Sequence, residues 1–118
     1  MAVFTEGLGP QKHHGKTVVL VNEHSASATE MVAAFAAENQ LATLVGVKTA
    51  GRLTGASFFK VGHGYRVALP VAQYRTWQER VLESSGVSPD VEAALSLSAL
   101  WEGQDNQLDA AARAVSEL

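Results

Sequence analysis

Residues 17–37 read TVVLVNEHSASATEMVAAFAA, and the parsing of this stretch decides the fold. Thr17–Val21 is a short apolar run rich in β-branched residues, with polar residues on both sides. Its brevity and its boundaries predict a buried strand rather than a helix. Asn22–Ser25 is a polar turn. From Ala28 to about Asn39 small, apolar, helix-favouring residues take over. Met31, Val32, Ala33, Ala34, Phe35 and Ala36 make this helix apolar around most of its circumference, so other elements must cover it. Leu41–Val47, LATLVGV, is a second apolar run and a second buried strand. Strand, helix and strand joined by short connections form a βαβ crossover, so the two strands are expected to be parallel.

The joint between the first strand and the helix carries Ser25, Ser27 and Thr29. A helix start presents unpaired backbone N–H groups and the positive end of the helix dipole. A hydroxyl placed there sits beside ready-made anion stabilisation, which suits the nucleophile of a hydrolase. Ser27-Ala28-Thr29-Glu30 also matches the capping box S-x-x-E, in which the two side chains satisfy backbone donors reciprocally. The two readings are compatible. Lys48–Gly55, KTAGRLTG, is a loop at the carboxyl end of the second strand, where open α/β sheets gather their ligands. It lies beside the Ser27 joint if the chain folds back.

Outward from this centre the chain is less regular. Met1–Lys16 lacks periodicity and is expected to be a loop or arm. His13 and His14 there have no further ligands at usable spacing, so no metal is expected. Phe58–Val61 and Tyr65–Leu69 read as a hairpin with Gly62-His63-Gly64 as a three-residue loop; His63 is expected at an exposed tip. Val71–Thr76 reads as strand or turn after Pro70, and Glu79–Leu82 as a short strand. Gly86–Asp90 is a turn cluster, and Ala93–Trp101 is ambiguous. Leu108, Ala111, Ala112, Val115 and Leu118 fall at helical spacing behind Asp105, a possible N-cap. They predict an amphipathic helix packed on the sheet.

Composition narrows the function classes. A chain of 118 residues is enough for one domain with a real core. The net charge is −3, and no run of Lys or Arg argues for nucleic acid or an anionic membrane. No apolar run approaches the roughly 20 residues of a membrane span. Met1–His14 lacks the apolar core of a signal peptide. The absence of cysteine excludes disulfides and thiol catalysis.

Three patterns then occur in order: SASATE after an apolar strand, VGVKTAGR after the next strand, and GVSPDV trailed by GQDNQLDAAARAV. Their order and spacing resemble the C-terminal processing (tail-specific) serine peptidases, over most of Thr17–Leu118. The resemblance implies an α/β fold, a partial crotonase/ClpP-like core with a mostly parallel sheet, a β-hairpin and a C-terminal amphipathic helix. It implies serine-type hydrolysis of protein or peptide substrates, without cofactor or metal. Ser27 becomes the nucleophile in preference to Ser25, the Ala28 amide an oxyanion donor, and Glu30 a helix-capping partner. The loop lysine that family members use as a base falls here on Arg52. Arginine stays protonated, so the resemblance makes Arg52 a substrate or anion contact and leaves Lys48 as an alternative base. A histidine base supplied from upstream is the reading preferred for such a loop.

The family core also contains a glycine-bearing stretch ahead of the serine strand, which Met1–Lys16 does not match. Residues 1–16 are therefore expected to be an arm, and residues 17–118 the carboxyl-terminal part of a peptidase core, inactive alone. Open sheet edges would favour a homodimer by edge pairing or strand exchange. An extracytoplasmic, periplasmic setting is implied by resemblance only. The rival expectation is a non-catalytic module of the same fold that binds a peptide or an apolar ligand, with Arg52 clamping a carboxylate.

Overall fold

The computed structural model describes residues 13–118. Strands β1 (Val18–Val21) and β2 (Thr43–Gly46) flank helix α1 (Ala28–Glu38). They pair in parallel, with Val18 opposite Thr43 and Val21 opposite Gly46, as a βαβ unit requires. Both are shorter than the apolar runs that announce them. Thr17 and Leu41 stay outside the strands, although the Thr17 carbonyl still accepts from the Thr43 N–H at 3.1 Å. A third parallel strand, β5 (Val91–Glu92), adds to β2 through Val45 and Gly46, giving the order β1-β2-β5. Sequence reasoning found no strand there, since two residues carry no periodicity.

Alternation along the strands sorts the two faces of this sheet. Val19, Val21 and Leu44 join Ala33 and Ala34 of α1 in the core, together with Leu53, Leu82 and Val87 from the loops. Val18, Leu20 and Val45 point the other way. Helix α3 (Asn106–Glu117) packs against β1 and β2, and Ala111 is its buried residue. Asp105 caps α3 as expected, its carboxylate accepting from the Gln107 and Leu108 N–H groups at 3.0 Å each. A short helix, α2 (Leu97–Trp101), resolves the ambiguous segment. The expected α/β class, with its mostly parallel sheet, hairpin and amphipathic C-terminal helix, is the architecture observed.

The outer side of α1 remains bare: Met31, Val32 and Phe35 are 40%, 63% and 53% exposed. The hairpin stands apart as a two-stranded sheet of β3 (Gly55–Gly62) and β4 (Tyr65–Ala72). Its loop is two residues, His63 and Gly64, not three. Both have positive φ, 49° and 81°, as a type I′ turn demands. Pro70 lies within β4 rather than ending it, which a ribbon with free edges tolerates. Between β4 and β5, among the described residues, only the single bridge Arg75–Val81 forms, so Val71–Thr76 and Glu79–Leu82 are not further strands of their own. Of the segment expected to be an arm, residues 1–12 lie outside the described residues, and 13–16 are irregular.

The sheet is drawn tight at its carboxyl end. Gly46 has φ +133°, and a Cβ there would stand 1.9 Å from the Val21 carbonyl oxygen. Only glycine allows the two strands to approach so closely at the point where β1 gives way to the serine turn.

Candidate active site

Ser25 and Ser27 occupy the same short connection but are used differently. Ser25 closes the turn: its hydroxyl accepts from the Asn22 N–H at 3.0 Å and donates to Asn22 Oδ1 at 3.3 Å. Its N–H bonds the Asn22 carbonyl at 2.9 Å. Ser27 is the N-cap of α1, with φ 56° and ψ −122°. That region is sparsely populated for any residue with a side chain, and holding it costs about 1–3 kcal/mol. Strain of this kind at a strand-to-helix turn is how hydrolase folds lift a serine clear of the backbone.

Ser27 and Glu30 have the capping-box arrangement, but only its Glu half closes as a hydrogen bond. Glu30 Oε2 accepts from the Ser27 N–H at 3.1 Å. The Glu30 N–H bonds the Ser27 carbonyl instead, and the Ser27 hydroxyl makes no cap bond. That hydroxyl, facing the Glu30 N–H in the capping-box arrangement, has no hydrogen bond among the described residues and lies on an exposed residue. The neighbouring Ala28 N–H has no acceptor among the described residues.

Glu30 does more than cap. It is fully buried, yet among the described residues no cation meets it. Oε1 accepts from the Thr49 hydroxyl and from the Gly51 N–H at 2.7 Å. Oε2 accepts from the Arg52 N–H at 2.9 Å as well as from Ser27. Burial alone would raise its pKa, but these donors, Thr49 foremost and then the Arg52, Gly51 and Ser27 amides, outweigh burial and hold the carboxyl below its ordinary value. One carboxylate thus fastens the start of α1 to the loop after β2.

The loop is fastened from its other side too. The Ser27 N–H also reaches the Arg52 carbonyl at 3.0 Å, and the Ala50 N–H donates to the Ser25 carbonyl at 3.0 Å. Thr49 exchanges bonds with Val87, through N–H to carbonyl at 3.0 Å and through its hydroxyl to the Val87 N–H at 2.8 Å. Gly86 makes this contact possible: its φ is +66°, and a Cβ would lie 2.5 Å from the Thr49 carbonyl oxygen. Glu83 Oε2 accepts from the Leu53 N–H at 2.6 Å. Hydrogen bonds from the Thr54 hydroxyl and the Leu53 amide hold its carboxyl below the ordinary range. Asp90 grips β2, accepting from the Leu44 N–H at 2.7 Å and donating its own N–H to the Leu44 carbonyl at 2.9 Å.

The chain does fold back as the loop reading required. Arg52 is tied to Ser27 by backbone alone. Its guanidinium is exposed and has no ion pair or hydrogen bond among the described residues, and the Lys48 side chain is likewise unpartnered. His63 is exposed at the hairpin tip. Among the described residues no group of three His, Asp or Glu is placed to hold a metal. Two surface concavities lie away from Ser27. One, of about 550 Å³, opens at the amino ends of β1 and β2 beside Thr17, Thr43 and Leu118. The other, of about 240 Å³, lies between β5 and α3. Ser27 itself sits on open surface.

The model of Peptidase family S41 matches residues 3–93. The chain belongs to that family. The carboxyl-terminal-processing protease of Synechocystis sp. is 44% identical over 73 residues, covering 62% of this chain and 17% of that protein. The carboxy-terminal processing protease CtpA of Bacillus subtilis is 37% identical over 79 residues, with coverage of 67% and 17%. Among solved structures, the photosystem II D1 C-terminal processing protease superposes with a TM-score of 0.62 at 33% identity, over 67% of this chain and 20% of that one. The tricorn protease shares the fold at a TM-score of 0.79 and 24% identity, over 87% and 10%. The chain thus spans less than a fifth of the length of these curated peptidase S41 relatives.

Peptidase S41 membership is what the three motifs resemble. Sequence reasoning missed the structural work of Thr49, Gly51, Gly86 and Asp90, whose partners lie far away in the chain. The S-x-x-E pattern and the family resemblance both signalled Glu30, and both pointed to a local role.

Proposed function

We propose that this chain is the serine-bearing part of a C-terminal-processing serine peptidase, with Ser27 as nucleophile. One observation carries the reading: of two serines in the turn, Ser25 is consumed by Asn22 while Ser27 stands exposed and strained, its hydroxyl without a hydrogen bond among the described residues. Ser27 Oγ attacks the scissile carbonyl carbon, and the Ala28 N–H stabilises the oxygen that becomes negative. A donor of this kind is worth roughly 2.7–4 kcal/mol in the transition state. The C–N bond breaks, the serine proton passes through a base to the leaving amine, and water then hydrolyses the acyl ester.

The base is supplied by a group other than Arg52, which contacts substrate. A histidine from the remainder of the core fits this role better than Lys48, whose side chain has no tie to the turn. On this reading residues 17–118 are the carboxyl-terminal part of the core, and they hydrolyse little or nothing alone. The bare outer face of α1 and the free edges of the sheet support completion by further chain, or a homodimer formed by edge pairing or strand exchange. Light scattering at high concentration tests the dimer. An extracytoplasmic setting is part of the proposal, supported by the relatives of Arabidopsis thaliana named chloroplastic.

Labelling with a serine-reactive phosphonate tests the nucleophile in a protein that contains the whole core. Labelling that vanishes in Ser27→Ala upholds it. A folded protein that never labels supports the second reading, a non-catalytic peptide-binding module. That reading is favoured by one feature, the unpaired Arg52 guanidinium at the position of the family lysine.

A further inference from the structure

The acidic balance of the chain hides a segregation. From Asn39 to Gln78 there are five cations, Lys48, Arg52, Lys60, Arg66 and Arg75, and no Asp or Glu, although the whole chain has 12 acids against nine Lys and Arg. No Lys–Arg run marks this tract, because its charges are spaced out along a loop and a hairpin. On the hairpin they come together. Lys60 pairs directly with Arg66 across β3 and β4, and Phe58 pairs with Ala68 one step along the same face. Like charges directly opposite one another destabilise a ladder. Neither cation has an ion pair or hydrogen bond among the described residues, and both are exposed. Phe58 beside them is 72% exposed.

The backbone around this pair is also unpartnered. Among the described residues β3 and β4 bond only to each other, so each offers an outer edge to which an extended segment can add. A two-stranded ribbon alone is marginal in water, so such a strand would stabilise the hairpin it joins.

We propose that the Lys60–Arg66 pair is a subsite for a carboxylate side chain on an extended peptide that lies along the hairpin, with Phe58 seating an adjacent apolar residue. The carboxylate relieves the repulsion between the two cations, which a neutral residue cannot do. The inference rests on the peptidase reading only in calling the peptide a substrate, and it makes the preferred substrate acidic at a position removed from the scissile bond.

Fluorescence anisotropy with the full-length protein and labelled extended peptides that differ only in Asp/Glu against Asn/Gln tests it. The acidic peptide binds more tightly, by roughly three- to tenfold for two exposed charge contacts, and added salt removes the advantage. Lys60→Glu separates binding from folding. It places opposite charges across the ladder, so thermal stability holds or rises while the acidic preference is lost. Equal binding of the two peptides, no binding of either, or an acidic preference that survives Lys60→Glu overturns the proposal. So does equally tight, Lys60-dependent binding of a single-stranded oligonucleotide of the same charge, which assigns the surface to nucleic acid. Repeating the titration with Ser27→Ala, which leaves the hairpin untouched, keeps this result independent of whether Ser27 reacts with phosphonate.

Discussion

Glu30 and Arg52 meet at 2.9 Å without forming a salt bridge: the Arg52 backbone N–H, not its guanidinium, donates to Glu30 Oε2. The carboxylate spends all its acceptor capacity on neutral donors, so the charged end of Arg52 is left outside for something else. Structure and recognition are thereby divided between the backbone and the side chain of one residue. Substitutions at the two positions are expected to have opposite characters.

At Glu30 the effect falls on stability. Glu30→Ala leaves the donors of Thr49, Gly51 and Arg52 buried or half-buried without an acceptor, while the Ser27 N–H keeps the Arg52 carbonyl. A loss of roughly 2–4 kcal/mol is expected, measured as a lower denaturation midpoint at unchanged slope. The loop swings free of the turn, and phosphonate labelling of Ser27 slows with it.

Arg52→Ala preserves every backbone bond and changes stability by less than about 0.5 kcal/mol, as for an exposed surface position. In the complete enzyme it raises KM for peptides that present a carboxylate, with a smaller change in kcat. Arg52→Lys restores only part of the loss, because an ammonium lacks the planar fork that grips both oxygens.

The depressed pKa of Glu30 has a definite sign. A carboxyl that ionises more readily when folded adds stability above its unfolded pKa, about 4.3, and that contribution is lost as pH falls through the lower folded value. Urea midpoints measured downward from about pH 5 should therefore drop more steeply for the native chain than for Glu30→Gln. Equal slopes would mean that the carboxylate is not selectively stabilised by its donors.

Strain at Ser27 makes a further expectation. Glycine accepts φ 56°, ψ −122° without a Cβ penalty, so Ser27→Gly is expected to gain on the order of 1 kcal/mol in stability while losing all phosphonate labelling. Ser25→Ala does the reverse: it loosens the Asn22 turn by about 1 kcal/mol and still labels. Thermal melts and mass spectrometry of the labelled proteins distinguish the two serines.

Much of the fold was legible because local signals agreed. The runs around Val18–Val21 and Thr43–Gly46, with an apolar helix between, admit few arrangements other than a parallel crossover. The helical spacing from Leu108 to Leu118, with Asp105 as a possible N-cap, announced the last helix. The site was legible in part, since Ser27 and the 48–55 loop stood out as motifs. What could not be read was the wiring. Glu30 matches a local cap, and nothing near it in sequence says that its oxygens serve Thr49, Gly51 and Arg52. Gly86 and Asp90 look like ordinary turn residues until Thr49 and Leu44 are found against them. The short β5 and the two-residue hairpin loop were missed because pairing, not propensity, defines them.

Gly46 carries no side chain, yet it sets how closely β1 and β2 approach just ahead of the Ser27 turn. Any methyl group added there wedges β1 away from β2 just before the chain enters the serine turn, and tilts the whole turn relative to the loop that Glu30 anchors. In a deep mutational scan scored on catalysis, this silent position should tolerate fewer replacements than Arg52. Tolerance at such a centre is set by how near two backbones can come as well as by the group that reacts.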